Sequence, residues 1–221
     1  AQNDYGCTTS ASTTVTVTSG VQMDEQPTSL AACAGENATF SVSATAPGIT
    51  YQWRKDGVAI DDVANPSALT ATLTLNNVTA ADAGNYDVKI TATCGDPDSS
   101  VVVTLTVNPV PTASASSNSP VCQASALNLT GSSDIGTLFE WTGPDGFSSS
   151  EQNPVINSAT FDNAGVYSLV TATVYCQSEP VTVDVTLTPT PTEVTATASS
   201  NNICEGASID LFSSAISGTT S

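Results

Sequence analysis

The chain has 221 residues, of which 21 are acidic, three are basic and none is histidine, for a formal net charge of −18. That balance works against phosphate backbones and anionic membrane surfaces as partners. The lack of imidazole removes Ser-His-Asp, Cys-His and histidine–metal chemistry from these residues, while 39% hydrophobic content leaves material for cores in two to three small domains.

No apolar run approaches the length of a membrane span, so no direct membrane insertion is expected. The only methionine is Met23, and the chain is expected to be a piece of a longer polypeptide. Residues 1–18 end in Thr13-Thr14-Val15-Thr16-Val17-Thr18, a period-two alternation that predicts a strand. The cadence returns at Val101–Val107 and Val181–Leu187, and a cysteine precedes each run: Cys7, Cys94 and Cys176. Cys33, Cys122 and Cys204 open units instead, and both sets recur at a period of about 80 to 90 residues. Residues 1–18 are therefore expected to be the C-terminal strands of a preceding repeat. Full repeats are expected over 19–108 and 109–188, and the N-terminal part of another over 189–221.

After each opening cysteine the apolar residues alternate, at Ala38, Phe40 and Val42, at Leu127, Leu129 and Gly131, and at Ile209 and Leu211. This predicts a strand B with one face in water. Trp53 and Trp141 fall where a following strand C would carry a large ring into a small core. Strand E is expected from Leu69 to Leu75 in the first repeat and around Val155-Ile156 in the second. Next come Ala81-Asp82-Ala83-Gly84-Asn85-Tyr86-Asp87-Val88 and Phe161-Asp162-Asn163-Ala164-Gly165-Val166-Tyr167-Ser168-Leu169. A small-residue turn, a tyrosine and an alternating run mark the corner into strand F of an immunoglobulin-type sandwich, with Tyr86 and Tyr167 as its markers. The proline-rich stretches Asn108–Pro111 and Thr188–Pro191 read as short semi-rigid joints. The fold class is all-β, tandem immunoglobulin-like β-sandwich domains in a linear array.

Antibody-type domains bridge strand B to the position two after the corner tyrosine. Here those positions hold Val42 and Val88, then Gly131 and Leu169, so no core disulfide can form. Six cysteines in repeated positions with no histidine favour disulfides at the strand ends and an oxidising location. Two connectivities stay open. One is within repeats, Cys33 with Cys94 and Cys122 with Cys176. In the other, Cys33 pairs with Cys176 across repeats, and Cys7, Cys94, Cys122 and Cys204 bond to repeats outside the chain. Reach favours the second: a strand F from Tyr167 to Cys176 spans roughly 30 Å, and a disulfide needs Cα atoms within about 7 Å.

Candidate chemistry is sparse. Asp96 and Asp98 follow Cys94 in an F–G loop and could contribute to a Ca²⁺ site, but two carboxylates are too few alone. No other cofactor is expected, and no enzymatic activity. Arg54 and Lys55 are expected at the outward ends of strand C, paired with nearby acids. Phe147 is the aromatic residue to consider for ligand stacking, with plugging of the C–D turn as its structural role.

Ser119-Pro120-Val121-Cys122, Trp141-Thr142-Gly143-Pro144-Asp145-Gly146-Phe147, Gln152-Asn153-Pro154 and Ala164-Gly165-Val166-Tyr167 together resemble the tandem immunoglobulin-like repeats of giant surface proteins in Bacteroidota. The first repeat shares the cysteines, the tryptophan and the corner but departs at Tyr51–Gly57. Asn202–Gly206 opens a third copy. The resemblance implies stalks of secreted adhesins or filaments, some linked to gliding motility and exported by the type IX system. The expected function is thus a shaft segment at the cell surface or outside the cell. Its expected partners are neighbouring repeats and other copies of the filament, with no nucleic acid. A glycan- or protein-binding module, or an accessory region of a secreted hydrolase, is the alternative.

Overall fold

The computed structural model describes residues 4–6, 10–14, 19–190, 196–200 and 202–213, and the chain divides into two compact units, Ala1–Pro109 and Val110–Ser221.

In the first unit the strands are β1 (Gln22–Glu25), β2 (Leu30–Cys33), β3 (Ala38–Ser41), β4 (Ser43–Thr45), β5 (Thr50–Lys55), β6 (Val58–Ala59), β7 (Thr72–Leu75), β8 (Gly84–Thr91), β9 (Asp98–Ser99) and β10 (Val103–Asn108). One layer pairs β1 with β4 and β3 with β7, and the other runs β2-β10-β8-β5-β6 with β9 attached to β8. The leading segment therefore serves both sheets. It lies antiparallel to β4 through β1 and parallel to β10 through β2. Buried Pro27 sits between them. With no N–H to give a ladder, it is a natural place for a strand to leave one sheet for the other.

The second unit repeats the plan with β11 (Ala113–Ser117), β12 (Val121–Cys122), β13 (Leu127–Ser133), β14 (Leu138–Thr142), β15 (Ser148–Ser149), β16 (Val155–Ile156), β17 (Gly165–Ala172), β18 (Val181–Val185) and β19 (Leu187–Thr188). Its sheets are β11-β13-β16 and β15-β14-β17-β18, and β12 lies parallel to β19. Pro120 stands between β11 and β12, in the place Pro27 holds. A short antiparallel pair, β20 (Ala196–Ala198) and β21 (Leu211–Ser213), follows.

Each unit closes over one core. In the first, Phe40, Trp53, Leu73, Tyr86, Val88, Ile90 and Leu105 are buried, and the Phe40 ring lies 5.0 Å from Tyr86 and 6.0 Å from Trp53. In the second, Leu127, Leu129, Trp141, Tyr167 and Leu169 do this work. Both indoles are fully buried, and each finds an acceptor. Trp53 Nε1 donates to the Thr70 carbonyl at 2.9 Å and Trp141 Nε1 to the Gln152 carbonyl at 3.2 Å. A buried N–H left unpaired would cost about 1–3 kcal/mol, so these carbonyls fix the ring orientation as well as its depth.

The corner tyrosines sit as the motif requires. Tyr86 Oη donates to the Asp82 carbonyl at 2.6 Å, and Tyr167 Oη to the Asn163 carbonyl at 3.0 Å. Each acceptor ends a 3-10 turn, Ala80–Asp82 or Phe161–Asn163. Those turns are held at their start by a reciprocal device: the Thr79 N–H donates to Asp82 Oδ2 at 2.8 Å, and the Thr160 N–H to Asn163 Oδ1 at 2.9 Å. Burial pushes the Tyr86 phenol up to about 12, helped by the negative charges of Asp82 and Asp56. Burial also raises Tyr167.

Three expectations are corrected. Leu69 does not start strand E but ends a 3-10 turn, Pro66–Leu69, with its side chain 46% exposed. The Asn65 carboxamide receives the Ser67 N–H at 3.1 Å and caps that turn, which delays the strand to Thr72. Val101 and Val102 lie outside β10 and are exposed, because the ladder begins at Val103 opposite Tyr86. Thr13 and Thr14 are exposed and outside any strand, and the rest of that expected strand, Val15–Thr18, lies outside the described residues.

Candidate functional site

The cysteine-bearing ends of the units are the most patterned polar features of the chain. Cys33 closes β2, opposite Asn108 in the parallel register. The turn beyond it is tight: the Ala34 N–H donates to the Asn108 carbonyl at 2.9 Å, the Gly35 N–H to the Val78 carbonyl at 2.8 Å, and the Glu36 N–H to the Cys33 carbonyl at 3.0 Å. Cys122 has the same surroundings. It lies opposite Thr188, and the Gln123, Ala124 and Ser125 N–H groups donate to the carbonyls of Thr188, Ala159 and Cys122 at 2.8, 2.8 and 3.0 Å. The third position of the turn is left-handed in every copy, with φ of 89° at Gly35, 67° at Ala124 and 86° at Gly206. The Ala207 N–H meets the Cys204 carbonyl at 3.0 Å, so the third opening cysteine carries the same turn. Cys33 and Cys122 stand beside the last residues of the final strand of their units, at the end by which the chain leaves each sandwich.

The closing cysteines stand at the opposite ends. Cys94 follows β8 in the F–G connection of the first unit, where a Cβ placed on Gly95 would lie 2.6 Å from Gly20 Cα. That close approach brings Cys94 to the end where the chain enters the sandwich. Cys176 lies in the F–G connection of the second unit, its carbonyl receiving the Thr173 N–H at 2.8 Å. Ala172 pairs with Leu138 and Ala113 with Ser133, so this turn too is at the leading end of its unit. Asp134 fastens that end by receiving the Thr112 N–H at 2.8 Å and the Ile135 N–H at 2.8 Å. The Thr112 bond holds its carboxyl below the usual carboxylate range.

Cys33 and Cys176 are each disulfide-bonded, while Cys94, Cys122 and Cys204 are free thiols. The two intra-repeat pairs, Cys33 with Cys94 and Cys122 with Cys176, are therefore not formed. The reason is the distance built into the sandwich, which sets its opening and closing cysteines at opposite ends of the sheet. Cys7 lies outside the described residues.

Phe147 is half-buried, and its ring meets Tyr167 edge-on at a centroid distance of 5.3 Å. It plugs the end of the second core from the turn between β14 and β15. Asp96 and Asp98 are exposed, with Asp98 Oδ1 receiving the Ser99 N–H at 2.8 Å. Among the described residues no three His, Cys, Asp or Glu side chains converge on one point. Arg54 and Lys55 do pair with acids. Arg54 forms a two-point ion pair with the nearly buried Asp87 directly across β5 and β8, and Lys55 Nζ lies 3.5 Å from Asp56. Asp56 in turn receives the Asn85 N–H at 3.0 Å, which lowers its carboxyl pKa.

Two features were not read from the sequence. Ser100 and Ser178 are buried, and their hydroxyls receive the N–H groups of Val88 and Thr171, each at 3.0 Å, next to the F strand. A lone serine among many leaves no pattern by which to find it. Grooves of about 690 Å³ and about 420 Å³ lie on the outer sheet faces. The first is lined by Leu138, Glu140, Glu151 and Val170 in the second unit, the other by Arg54, Asp56, Asn85 and Asp87 in the first. No helix among the described residues is long and apolar enough to cross a membrane.

Residues 22–91 match the family model described as immunoglobulin domain. Both units are immunoglobulin-like β-sandwiches. No curated protein matches the chain significantly. Among solved structures, the chain is similar to the titin domains Z1Z2 in complex with telethonin, at 19% identity and a TM-score of 0.42, covering 79% of this chain and 100% of that one. It is also similar to Sidekick-1 immunoglobulin domains 1–5, at 15% identity and a TM-score of 0.48 over 84% of this chain. The chain spans 42% of that Sidekick-1 structure.

Proposed function

We propose that this chain is a segment of the shaft of an extracellular adhesin or filament, in which immunoglobulin-like units are joined in series and act mechanically. The single observation that supports this most is the distribution of oxidised cysteines. Cys33, at the trailing end of one sandwich, and Cys176, at the leading end of the next, are each in a disulfide, while Cys94 and Cys122 are free. A Cys33–Cys176 bond would double the short Asn108–Thr112 connection covalently. Disulfides belong to oxidising compartments, which fits a location at the cell surface or beyond it. Other features fit a passive role: Phe40, Trp53, Tyr86, Trp141 and Tyr167 are buried in the cores, and Arg54 and Lys55 of strand C are paired with neighbouring carboxylates.

Under tension such a bond would bypass most of both sandwiches. Single-molecule pulling on the two termini, with and without reductant, tests this. The oxidised chain is expected to extend less than the reduced one by about 140 residues, roughly 450–500 Å of contour at full extension. Equal contour lengths in both states would overturn the proposal.

A further inference from the structure

Cys94 and Cys122 share the local placement of cysteines that are already oxidised. Cys122 has the parallel register and the three-bond turn of Cys33, and Cys94 shares with Cys176 the F–G connection at the leading end of its unit. Yet Cys122 and Cys94 are free thiols, at the trailing end of the second unit and the leading end of the first. Cys122 is exposed and its sulfur accepts only the Thr188 hydroxyl, at 3.7 Å, so nothing in the turn competes for it.

We infer that Cys94 and Cys122 are complementary halves of one kind of joint. The trailing end of the second unit takes an immunoglobulin-like unit that offers a thiol on its F–G turn, and the leading end of the first takes one that offers a thiol beside its last strand. For the isolated chain, the partner with both features is a second copy. This rests on the shaft reading given above. The bond forms by exchange with a small disulfide such as oxidised glutathione. One protein thiolate takes up a glutathione by attacking the disulfide, and a glutathione thiolate leaves. The second protein thiolate then attacks the protein sulfur of that mixed disulfide, and another glutathione thiolate leaves. Two protein thiols thus become one disulfide, and their two protons and two electrons end on two glutathione thiols.

The test uses the full chain carrying Cys7→Ser and Cys204→Ser, oxidised slowly at high concentration in a glutathione buffer and mapped by non-reducing peptide analysis. The expected result is a head-to-tail ladder in which Cys94–Cys122 peptides exceed the two homotypic crosslinks combined by about fivefold or more, since only the complementary ends dock before exchange. Homotypic and heterotypic bonds in random proportion, or no crosslinked species, would overturn the inference. A Cys94→Ser variant should lose the ladder, and retention of it would equally overturn the inference. The same digest reports whether Cys33 and Cys176 share a peptide, so failure of the shaft reading is seen separately.

Discussion

Leu169 Cδ2 lies 3.0 Å from the point that a Cβ on Gly131 would occupy. The residues stand where antibody-type domains place their core disulfide, and here a leucine fills the space that glycine vacates. Trp141 Cζ2 at 3.2 Å and the Gln152 carbonyl at 2.9 Å close the remaining sides. Gly131→Ala is therefore expected to overpack the second core and destabilise that unit by about 1–3 kcal/mol, read as a lower denaturant midpoint with unchanged slope. A variant as stable as the parent would mean that β13 can shift outward freely.

The two corner tyrosines each add one hydrogen bond at the end of a core. Tyr86→Phe and Tyr167→Phe are expected to cost about 0.5–1.5 kcal/mol each. Tyr86 also sets an alkaline limit. Its phenol is raised from the ordinary value of 10.0 to about 12 by burial, with Asp82 and Asp56 adding to the effect. The folded state thus holds its proton more tightly than the unfolded chain does. That contribution is complete below pH 10 and is lost as the pH rises toward 12. Stability measured across that range should fall in the parent and fall less in Tyr86→Phe.

Ala124 holds a left-handed backbone that its counterparts Gly35 and Gly206 adopt as glycine. An L-residue with a Cβ pays about 1–2 kcal/mol for that conformation, partly offset by the greater freedom glycine brings to the unfolded chain. Ala124→Gly is expected to stabilise the second unit by up to about 1 kcal/mol, seen as a raised thermal midpoint. A lowered midpoint would show that the methyl group is itself held by the turn.

Asp134 anchors the start of the second unit, and its carboxyl is lowered chiefly by the Thr112 N–H, against an opposing effect of desolvation, with the Ile135 N–H adding to the lowering. A depressed folded pKa contributes stability above the unfolded value, near 4, and that stability is lost as the pH falls through the folded value. Acid titration should therefore weaken the parent below about pH 4, and Asp134→Asn should flatten that limb. Parallel acid limbs in the two proteins would remove Asp134 from the account.

What the sequence determined by itself is local. The corner motif, the strand C tryptophans and the alternating runs are short patterns whose meaning depends on residues a few positions away. For that reason they placed Tyr86, Tyr167, Trp53 and Trp141 correctly in the cores. The expectation at Leu69 failed because Asn65 caps a 3-10 turn ahead of the strand, and Asn is compatible with many turns. Phe147 could be read as exposed or as packed until Tyr167 was seen beside its ring. The pairing of Arg54 with Asp87 depends on cross-strand register, which no run of residues states.

The cysteines divide most clearly between the two levels. Their repeated spacing and the lack of histidine marked them as strand-end disulfide candidates from sequence alone. Which are oxidised was a matter of tertiary structure, because a disulfide forms only where two Cα atoms come within about 7 Å. The length of strand F favoured pairing across repeats but left both connectivities open; only the folded sandwich, which holds the opening and closing cysteines of one repeat at opposite ends of its sheet, decided against Cys33–Cys94 and Cys122–Cys176 and left Cys94 and Cys122 free.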